Sequence, residues 1–255
     1  MAPFPILEFS YAIRGKRGGI VMLVGYFDES GTHDQSKVVS IAGLVGDTLE
    51  WSRLERPWKE NLATSRIPVF HASQRQGLSD GLWDSLIAGL CIAIGDRDLF
   101  VVGSSISRDD WDRCAPPGLK ALYQDNPYHF CFVFTMQQIN QWSKDHGGGE
   151  PVALVFAEQK EYMTQARNFY EIYRESDEYN KLGSFSWGKP QCLIQLQAAD
   201  LIAFETYHNI KDKLAHGDGN YTVRLAVQRI RKTNRAVQRM FNCGGLIALA
   251  KDLGV

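Results

Sequence analysis

Two adjacent acidic residues end an apolar stretch near the start of this 255-residue chain. Residues 19–27 form a short run with several β-branched side chains, which is typical of a strand buried on both faces. Asp28 and Glu29 follow it directly. Ligand sites in open α/β sheets lie beyond the carboxyl ends of strands. We therefore expect this pair to bind a divalent cation, although Asp, Ser and Gly are also typical of a hairpin turn.

A second strand end carries further acids. The apolar run 152–156 predicts another buried strand, and Glu158 follows it by two residues. Glu158 thus occupies the same kind of position as Asp28. Glu161 lies nearby and could take its place, and either residue could instead be an ordinary solvated loop acid.

Asp200 interrupts an apolar helical segment. Its helical neighbours at i−4, i+3 and i+4 are Leu196, Ala203 and Phe204. A carboxylate on that face is costly to bury unless it is paired, hydrogen-bonded or bound to a metal. The small alanines beside it would let this helix approach a sheet closely. Asp200 is therefore a further candidate metal ligand, with a buried ion pair or a backbone cap as the alternative.

Carboxylates from two strand ends and one helix suit a site for two divalent cations. Two such ions, about 4 Å apart, activate a water molecule and stabilise the leaving oxygen at phosphorus. Oxygen-only ligands favour Mg²⁺ or Mn²⁺ over Zn²⁺. We predict Asp28, Glu158 and Asp200 as the metal ligands, with Glu29 completing the set of catalytic carboxylates.

The elements that position these acids follow an α/β order. The first strand and a second one, residues 37–45, flank a polar turn and predict a β-hairpin. Strands then alternate with helices, which predicts a mixed sheet flanked by helices. We expect one domain over residues 20–241, ending in a basic helix at 221–241. An N-terminal extension (1–19) and a C-terminal tail (242–255) flank it.

Composition excludes several broad classes of protein. The hydrophobic fraction is 44% and the charged fraction 22%, which is typical of a globular protein rather than a disordered chain or a coiled coil. No run approaches the roughly 18 apolar residues of a membrane helix, and residues 1–19 lack the apolar core of a secretory signal. Five cysteines without a Cys-x-x-Cys pair predict reduced, mostly buried thiols in a cytoplasmic protein.

A basic segment lies near the C-terminus. The chain carries 28 Lys+Arg against 29 Asp+Glu, a net charge of -1, so it has no dominant basic field. Residues 219–251, however, contain no acid. Basic residues from this segment are predicted to bind the phosphates of a nucleic-acid substrate: Arg224, Arg231, Lys232 and Arg235. The alternative is a solvated helix face.

Two motifs carry a family resemblance. Tyr-Phe-Asp-Glu-Ser-Gly at 26–31 and Leu-Gln-Ala-Ala-Asp-Leu-Ile-Ala at 196–203 resemble the two signatures of the domain of unknown function 3800 family. The likeness spans residues 22–208, and the two motifs are more specific as an ordered pair than either is alone. It implies an RNase H-like fold and a metal-dependent nuclease activity.

The resemblance also implies a set of site residues. Asp28, Glu29 and Asp200 would be its acidic members, whereas an Asp would be more typical than Glu158 at the later strand end. His71, in Phe-His-Ala, matches a histidine feature of the family and would act as a general acid/base or contact the substrate. A structural role is the alternative for this histidine.

These patterns predict a phosphodiesterase that hydrolyses nucleic acid with metal-activated water. Two other functions fit the same residues: a non-catalytic nucleic-acid-binding or regulatory module, and a metal-dependent phosphatase acting on small phosphoesters. Residues 183–189 nearly match a phosphate-binding loop, but Pro190 stands where Ser or Thr is needed and no apolar strand precedes it. Neither Gly-x-Ser-x-Gly nor His-Glu-x-x-His occurs.

Overall fold

A computed structural model describes residues 22–33, 35–217 and 221–255. The predicted N-terminal extension, residues 1–19, lies outside these ranges. The strands are β1 (Leu23–Ser30), β2 (Val38–Asp47), β3 (Phe100–Ser107), β4 (Val152–Ala157), β5 (Leu182–Gly188) and β6 (Ala236–Phe241). The helices are α1 (Thr48–Ser65), α2 (Asp80–Gly95), α3 (Arg108–Cys114), α4 (Pro117–Leu122), α5 (Pro127–Asp145), α6 (Met163–Arg174), α7 (Ile194–His216), α8 (Leu225–Thr233) and α9 (Cys243–Leu253).

The strands form one mixed sheet in the order β5-β4-β1-β2-β3-β6. The first three strands are antiparallel neighbours, as the predicted hairpin requires. β4 pairs parallel to β1, β5 parallel to β4, and β6 parallel to β3. All strands except β2 therefore end at the same edge of the sheet. This arrangement confirms the predicted α/β class, with a mixed sheet flanked by helices.

Helices cover both faces of the sheet. α7 packs across β1 and β2 on one face, where α1, α2 and α8 complete the layer. α5 packs across β2 and β3 on the other face, together with α3, α4, α6 and α9. Side chains alternate between the two faces along each strand. Tyr26 accordingly joins the α7-side core and Phe27 the α5-side core.

Some predicted elements were wrong. The expected helix 221–241 ends at Thr233, and residues 236–241 form an edge strand instead. Asn234 explains the change, since its side-chain amide donates to the main-chain oxygens of Leu99 (2.8 Å) and Arg97 (3.1 Å) and holds the chain beside β3. β5 lies in a stretch where no strand was predicted, because this short edge strand includes Gly and Ser.

Residues of the predicted C-terminal tail form helix α9. Leu246 and Ala250 on this helix are buried in the α5-side core. The expectation of uniformly reduced cysteines was also wrong, because Cys114 and Cys243 form a disulfide between α3 and α9. Cys91 and Cys131 are free and buried, and Cys192 is free and exposed. Within the described ranges, no helix is both long enough and apolar enough to cross a bilayer.

Candidate functional site

A cavity of about 1090 Å³ opens where β1 ends. Its walls come from β1, the residues after β4, α7, and the connection between α1 and α2. All of the predicted catalytic residues line this cavity: Asp28, Glu29, His71, Glu158 and Asp200. The fold thus brings together acids and a histidine that lie far apart in the sequence.

Asp28 and Glu29 lie inside β1 rather than after it. The strand continues to Ser30, and the two acids pair with Ala42 and Ile41 of β2. Because side chains alternate along a strand, Asp28 is on the α7 face and Glu29 on the α5 face. A hydrogen bond from the Glu29 N–H to Asp28 Oδ1 (2.9 Å) fixes the first carboxylate.

The two β1 carboxylates are held in an environment that opposes their negative charge. Burial raises the pKa of Asp28 well above its usual range, and the charges of Glu29 and Asp200 raise it further. Burial, together with the charge of Asp200, raises the pKa of Glu29 to about 8, although Gln159 donates a hydrogen bond to it. Glu29 Oε2 is enclosed and has no hydrogen-bond partner within the described part of the chain. A cation would relieve this repulsion.

Asp200 faces the β1 acids from α7. The residue is only 8% exposed. Its Oδ2 accepts a hydrogen bond from the Ala72 N–H (2.9 Å) and lies 3.2 Å from His71 Nδ1. Ala198 and Ala199 are fully buried beside it, which lets α7 lie close against the sheet. The apolar surroundings that made Asp200 anomalous in the sequence are the packing surface of this helix.

Gln197 is a positioning residue that the sequence analysis did not single out. Its Oε1 accepts hydrogen bonds from the Phe70 N–H (3.0 Å) and Trp58 Nε1 (3.1 Å). Its Nε2 donates to the Pro190 oxygen (2.8 Å). One side chain thus fixes the loops on two sides of the cavity. The Gln of the Leu-Gln-Ala-Ala-Asp motif was the signal that could have identified it.

His71 lies at the mouth of the cavity. Its side chain is 50% exposed. The hydrogen bond to Asp200 raises the pKa of the imidazole, and this effect exceeds the opposing effect of burial. The ring therefore favours its protonated form more than a free histidine does. This geometry lets His71 orient Asp200 or exchange a proton with a bound molecule.

Glu158 lines the cavity directly after β4. Its main-chain N–H donates to the Gly188 oxygen (3.0 Å), which ties the end of β4 to β5. Its carboxylate lies 3.7 Å from Lys189 Nζ and its side chain is 36% exposed. The Glu158 side chain is therefore more exposed to solvent than Asp200, and its carboxylate already has an ion-pair partner in Lys189. Glu161 is exposed and does not line the cavity.

The predicted phosphate-binding residues lie elsewhere. Arg224 is held in ion pairs with Glu205 (2.8 Å) and Asp212 (3.6 Å). Arg231 and Lys232 lie at the end of α8, and Arg235 lies just before β6. This is the edge of the sheet where β3 and β6 begin, not the edge where β1 ends. None of these four residues lines the cavity. The basic residues that do line it are Lys160 and Lys189.

Comparisons with known proteins add little to this geometry. No protein-family model matches the chain, and no curated protein matches it. Among solved structures, it is similar to Bst-RNase HIII in complex with Mn²⁺, with 13% sequence identity and a TM-score of 0.46. That similarity covers 90% of this chain and 71% of the other. The fold assignment above rests on the strand order and directions of the chain itself.

Gly31 follows β1 and shapes the loop beside the two acids. Its φ is +75°, and a Cβ there would lie 2.1 Å from the Val38 oxygen. We predict that Gly31→Ala lowers the free energy of unfolding by at least about 3 kcal/mol, because a close contact adds to the strain of a positive φ. Gly77→Ala is the matched control, since Gly77 has φ +79° but open space around it. Urea denaturation measures both, and equal losses would contradict the steric argument.

The donor atoms of the site fit hard divalent cations. Asp28, Glu29 and Asp200 offer only oxygen, and one enclosed oxygen of Glu29 lacks a partner. The oxygens of these three carboxylates do not all lie within 4.8 Å of one another. Among the described residues, the group that meets this criterion is Asp110, Cys114 and Cys243. Two cations about 4 Å apart do not require a single point, because each ion takes its own subset of ligands.

Proposed function

We propose that this chain is a divalent-metal-dependent phosphodiesterase that hydrolyses nucleic acid. The observation that carries the proposal is the group of Asp28, Glu29 and Asp200 in one cavity, with raised pKa values on both β1 acids. Buried carboxylates that repel one another cost stability unless a cation compensates them. A cation-binding role accounts for their placement together at this edge of the sheet.

The proposed ligands are Asp28 and Asp200, with Glu29 and Glu158 completing the site from two other directions. Mg²⁺ or Mn²⁺, when bound there, would supply charge stabilisation at phosphorus and a water of lowered pKa. Asp28 is oriented by the Glu29 N–H, and Asp200 by the Ala72 N–H. These main-chain donors fix the carboxylates before a cation arrives, which lowers the cost of organising the site.

His71 and two lysines serve the substrate in this proposal. The protonated imidazole, held by Asp200 at the cavity mouth, can donate a proton to the leaving oxygen. Lys160 and Lys189 line the same cavity and can contact the flanking phosphates. They take the role that the sequence analysis gave to the basic residues of α8 and the chain after it. Lys189 leaves Glu158 when it binds phosphate, which frees that carboxylate for a cation.

We further propose that the chain belongs to the domain of unknown function 3800 family. The support is its two motifs, whose residues have identifiable tasks in this cavity. Asp28 and Glu29 face it, Gly31 makes the turn after β1, and Gln197 and Asp200 hold the loop around His71. Membership of this family agrees with the proposed nuclease function.

A phosphatase for small phosphoesters is the second candidate, and the shape of the site favours it in one respect. The cavity is walled by the loops at Pro68–Gln76 and Lys189–Gln191. Its volume of about 1090 Å³ is just above the range of roughly 300–1,000 Å³ that is typical of small-ligand pockets. A substrate panel separates the two candidates.

The test uses the full-length protein and end-labelled polymers: single- and double-stranded DNA, RNA, and an RNA–DNA hybrid. p-Nitrophenyl phosphate and bis-p-nitrophenyl phosphate report monoester and diester hydrolysis. With Mn²⁺ or Mg²⁺ we expect cleavage of at least one polymer and of the diester, and none in EDTA. Hydrolysis of the monoester alone would establish the phosphatase instead. Cleavage that persists in EDTA, or binding of nucleic acid without cleavage under any of these conditions, would overturn the proposal.

A further inference from the structure

A second reactive cluster lies outside the cavity, between α3 and α9. Cys114 ends α3, Cys243 begins α9, and their Cα atoms are 5.1 Å apart across a sequence separation of 129 residues. Asp110, one helical turn before Cys114, places its Oδ1 3.2 Å from Cys243 Sγ. One ligand atom from each of the three lies within 4.8 Å of the others. Two sulfurs and a carboxylate are thus held together by two helices.

We propose that Asp110, Cys114 and Cys243 form a thiol–disulfide exchange site that reacts with low-molecular-weight thiols and their disulfides. The sulfurs are in reach of such molecules. Both cysteines are only partly buried, and Asn242 and Gly244, which flank Cys243, are exposed. A Cβ at Gly244 would meet nothing closer than Asn242 Oδ1 at 3.7 Å. The surface beside Cys243 is therefore open, and Arg113, which directly precedes the attacked Cys114, is exposed as well.

The other cysteines lack this environment. Cys91 and Cys131 are buried, and burial raises the pKa of both thiols. A thiolate is the reactive form, so these two are poor nucleophiles. Cys192 is exposed but has no disulfide partner in the described part of the chain. Cys192 therefore serves as a control cysteine that external thiols can reach but that forms no disulfide within the described part of the chain.

The helix geometry assigns the leaving sulfur. Cys243 is the first residue of α9, an 11-residue helix whose start is capped by Asn242 Oδ1 accepting from the Gly245 N–H (3.0 Å). A helix N-terminus stabilises a thiolate. Asp110 Oδ1 is placed to accept the hydrogen bond of the Cys243 thiol once it is protonated, and Arg113 faces the same oxygen at 3.4 Å. The carboxylate charge of Asp110 favours the protonated thiol over the thiolate, so Asp110 restrains the departure of Cys243.

The exchange is balanced by two external thiols. One thiolate attacks Cys114 Sγ, the Cys114–Cys243 bond breaks, and Cys243 leaves as a thiolate. A second thiolate attacks the external sulfur of the mixed disulfide and releases Cys114. The two cysteines take up the two protons of the external thiols, the external thiols are oxidised to their disulfide, and the protein disulfide is reduced. The reverse reaction closes the link.

This site is connected to the cavity through α3. Arg108, the first residue of α3, donates from its guanidinium to the Thr32 oxygen (2.9 Å) and from its N–H to the Lys37 oxygen (2.9 Å). Thr32 lines the cavity, four residues after Asp28. Closing the disulfide restrains the far end of the same short helix. A redox effect on the site follows from this connection, and this last step rests on the proposed function.

The exchange test needs no catalytic assay. Full-length protein is equilibrated with reduced and oxidised glutathione at graded ratios, trapped with iodoacetamide and weighed as intact protein. Under native conditions we expect two thiols to appear together in the wild type and in Cys192→Ser, and not in Cys243→Ser. The reduced wild type should melt about 5–10 °C below the oxidised form, since the link closes a long loop. Asp110→Asn should speed the opening of the disulfide at least about threefold at an unchanged melting temperature of the oxidised form, because it removes the carboxylate charge that lies 3.2 Å from the leaving sulfur.

Three results would overturn the site. These are a disulfide that no glutathione ratio opens in the folded protein, thiols that never pair, or exchange kinetics identical in Asp110→Asn. Stoichiometric Zn²⁺ uptake by the reduced protein that is lost in Cys243→Ser, without exchange, would reassign the cluster as a metal site. Loss of hydrolysis in every assay alongside normal exchange would remove the proposed function and leave this site standing. Equal rates of hydrolysis by the oxidised and the reduced protein would contradict only the proposed effect of the Cys114–Cys243 disulfide on the cavity.

Discussion

Asp28→Asn and Asp200→Asn should each lower metal-dependent phosphodiester hydrolysis by at least about 1,000-fold, equivalent to about 4 kcal/mol of transition-state stabilisation. Each substitution removes one negative charge from the cavity and keeps an oxygen in place. The Asn oxygen can still accept the Glu29 N–H at position 28 and the Ala72 N–H at position 200. We therefore expect folded proteins with impaired cation binding rather than unfolded ones.

The comparison is made on kcat/KM in Mn²⁺, with circular dichroism as the check on folding. Asp84→Asn is the matched control, because Asp84 is exposed on α2 and does not line the cavity. It should retain full activity. Glu158→Gln should cost less than either aspartate, since that carboxylate is already paired with Lys189. Activity that stays near the wild-type value in both aspartate variants would place the chemistry elsewhere.

The acids of the site could be predicted from the sequence because their signal is local. Asp28 and Glu29 end an apolar run, and Asp200 interrupts an apolar helix face. In each case the cost of burying a carboxylate makes its position anomalous without knowledge of the fold. The hairpin and the alternation of strands and helices were predictable for a similar reason, since periodicity is a property of neighbouring residues.

The remaining features depend on contacts between distant residues. Cys114 and Cys243 meet only because α9 folds back on α3, so their spacing predicts no pairing. Arg224 looks like a free cation in an acid-free segment, yet its partners Glu205 and Asp212 come from α7. The strand β6 replaces the end of a predicted helix because Asn234 binds the chain before β3. Local composition carries no information about any of these partners.

Glu29→Gln should stabilise the metal-free protein at alkaline pH. The Glu29 residue is only partly buried, but its Oε2 is enclosed and without a partner among the described residues. Its pKa is raised from an ordinary 4.5 to about 8, chiefly by burial and further by the charge of Asp200. Ionising Glu29 therefore costs more free energy in the folded protein than in the unfolded chain. The neutral amide avoids that cost.

The direction of the pH dependence follows from proton binding. Between pH 4.5 and about 8 the folded protein keeps a proton on Glu29 that the unfolded chain releases. The contribution of Glu29 to the free energy of unfolding must then fall as the pH rises through this window. Above it the whole penalty is present, and Glu29→Gln should recover roughly 3–5 kcal/mol. Glu175→Gln, at an exposed position after α6, should follow the wild-type profile.

Urea denaturation in EDTA from pH 5 to pH 9 measures this difference, and repeating it with Mn²⁺ links it to the proposed function. The repulsion that destabilises the metal-free wild type is the same interaction that would attract a cation. Mn²⁺ should therefore raise the stability of the wild type more than that of Glu29→Gln, and the two proteins should converge. Parallel pH profiles in EDTA would show that Glu29 ionises without penalty. Equal stabilisation of both proteins by Mn²⁺ would place the cation away from Glu29.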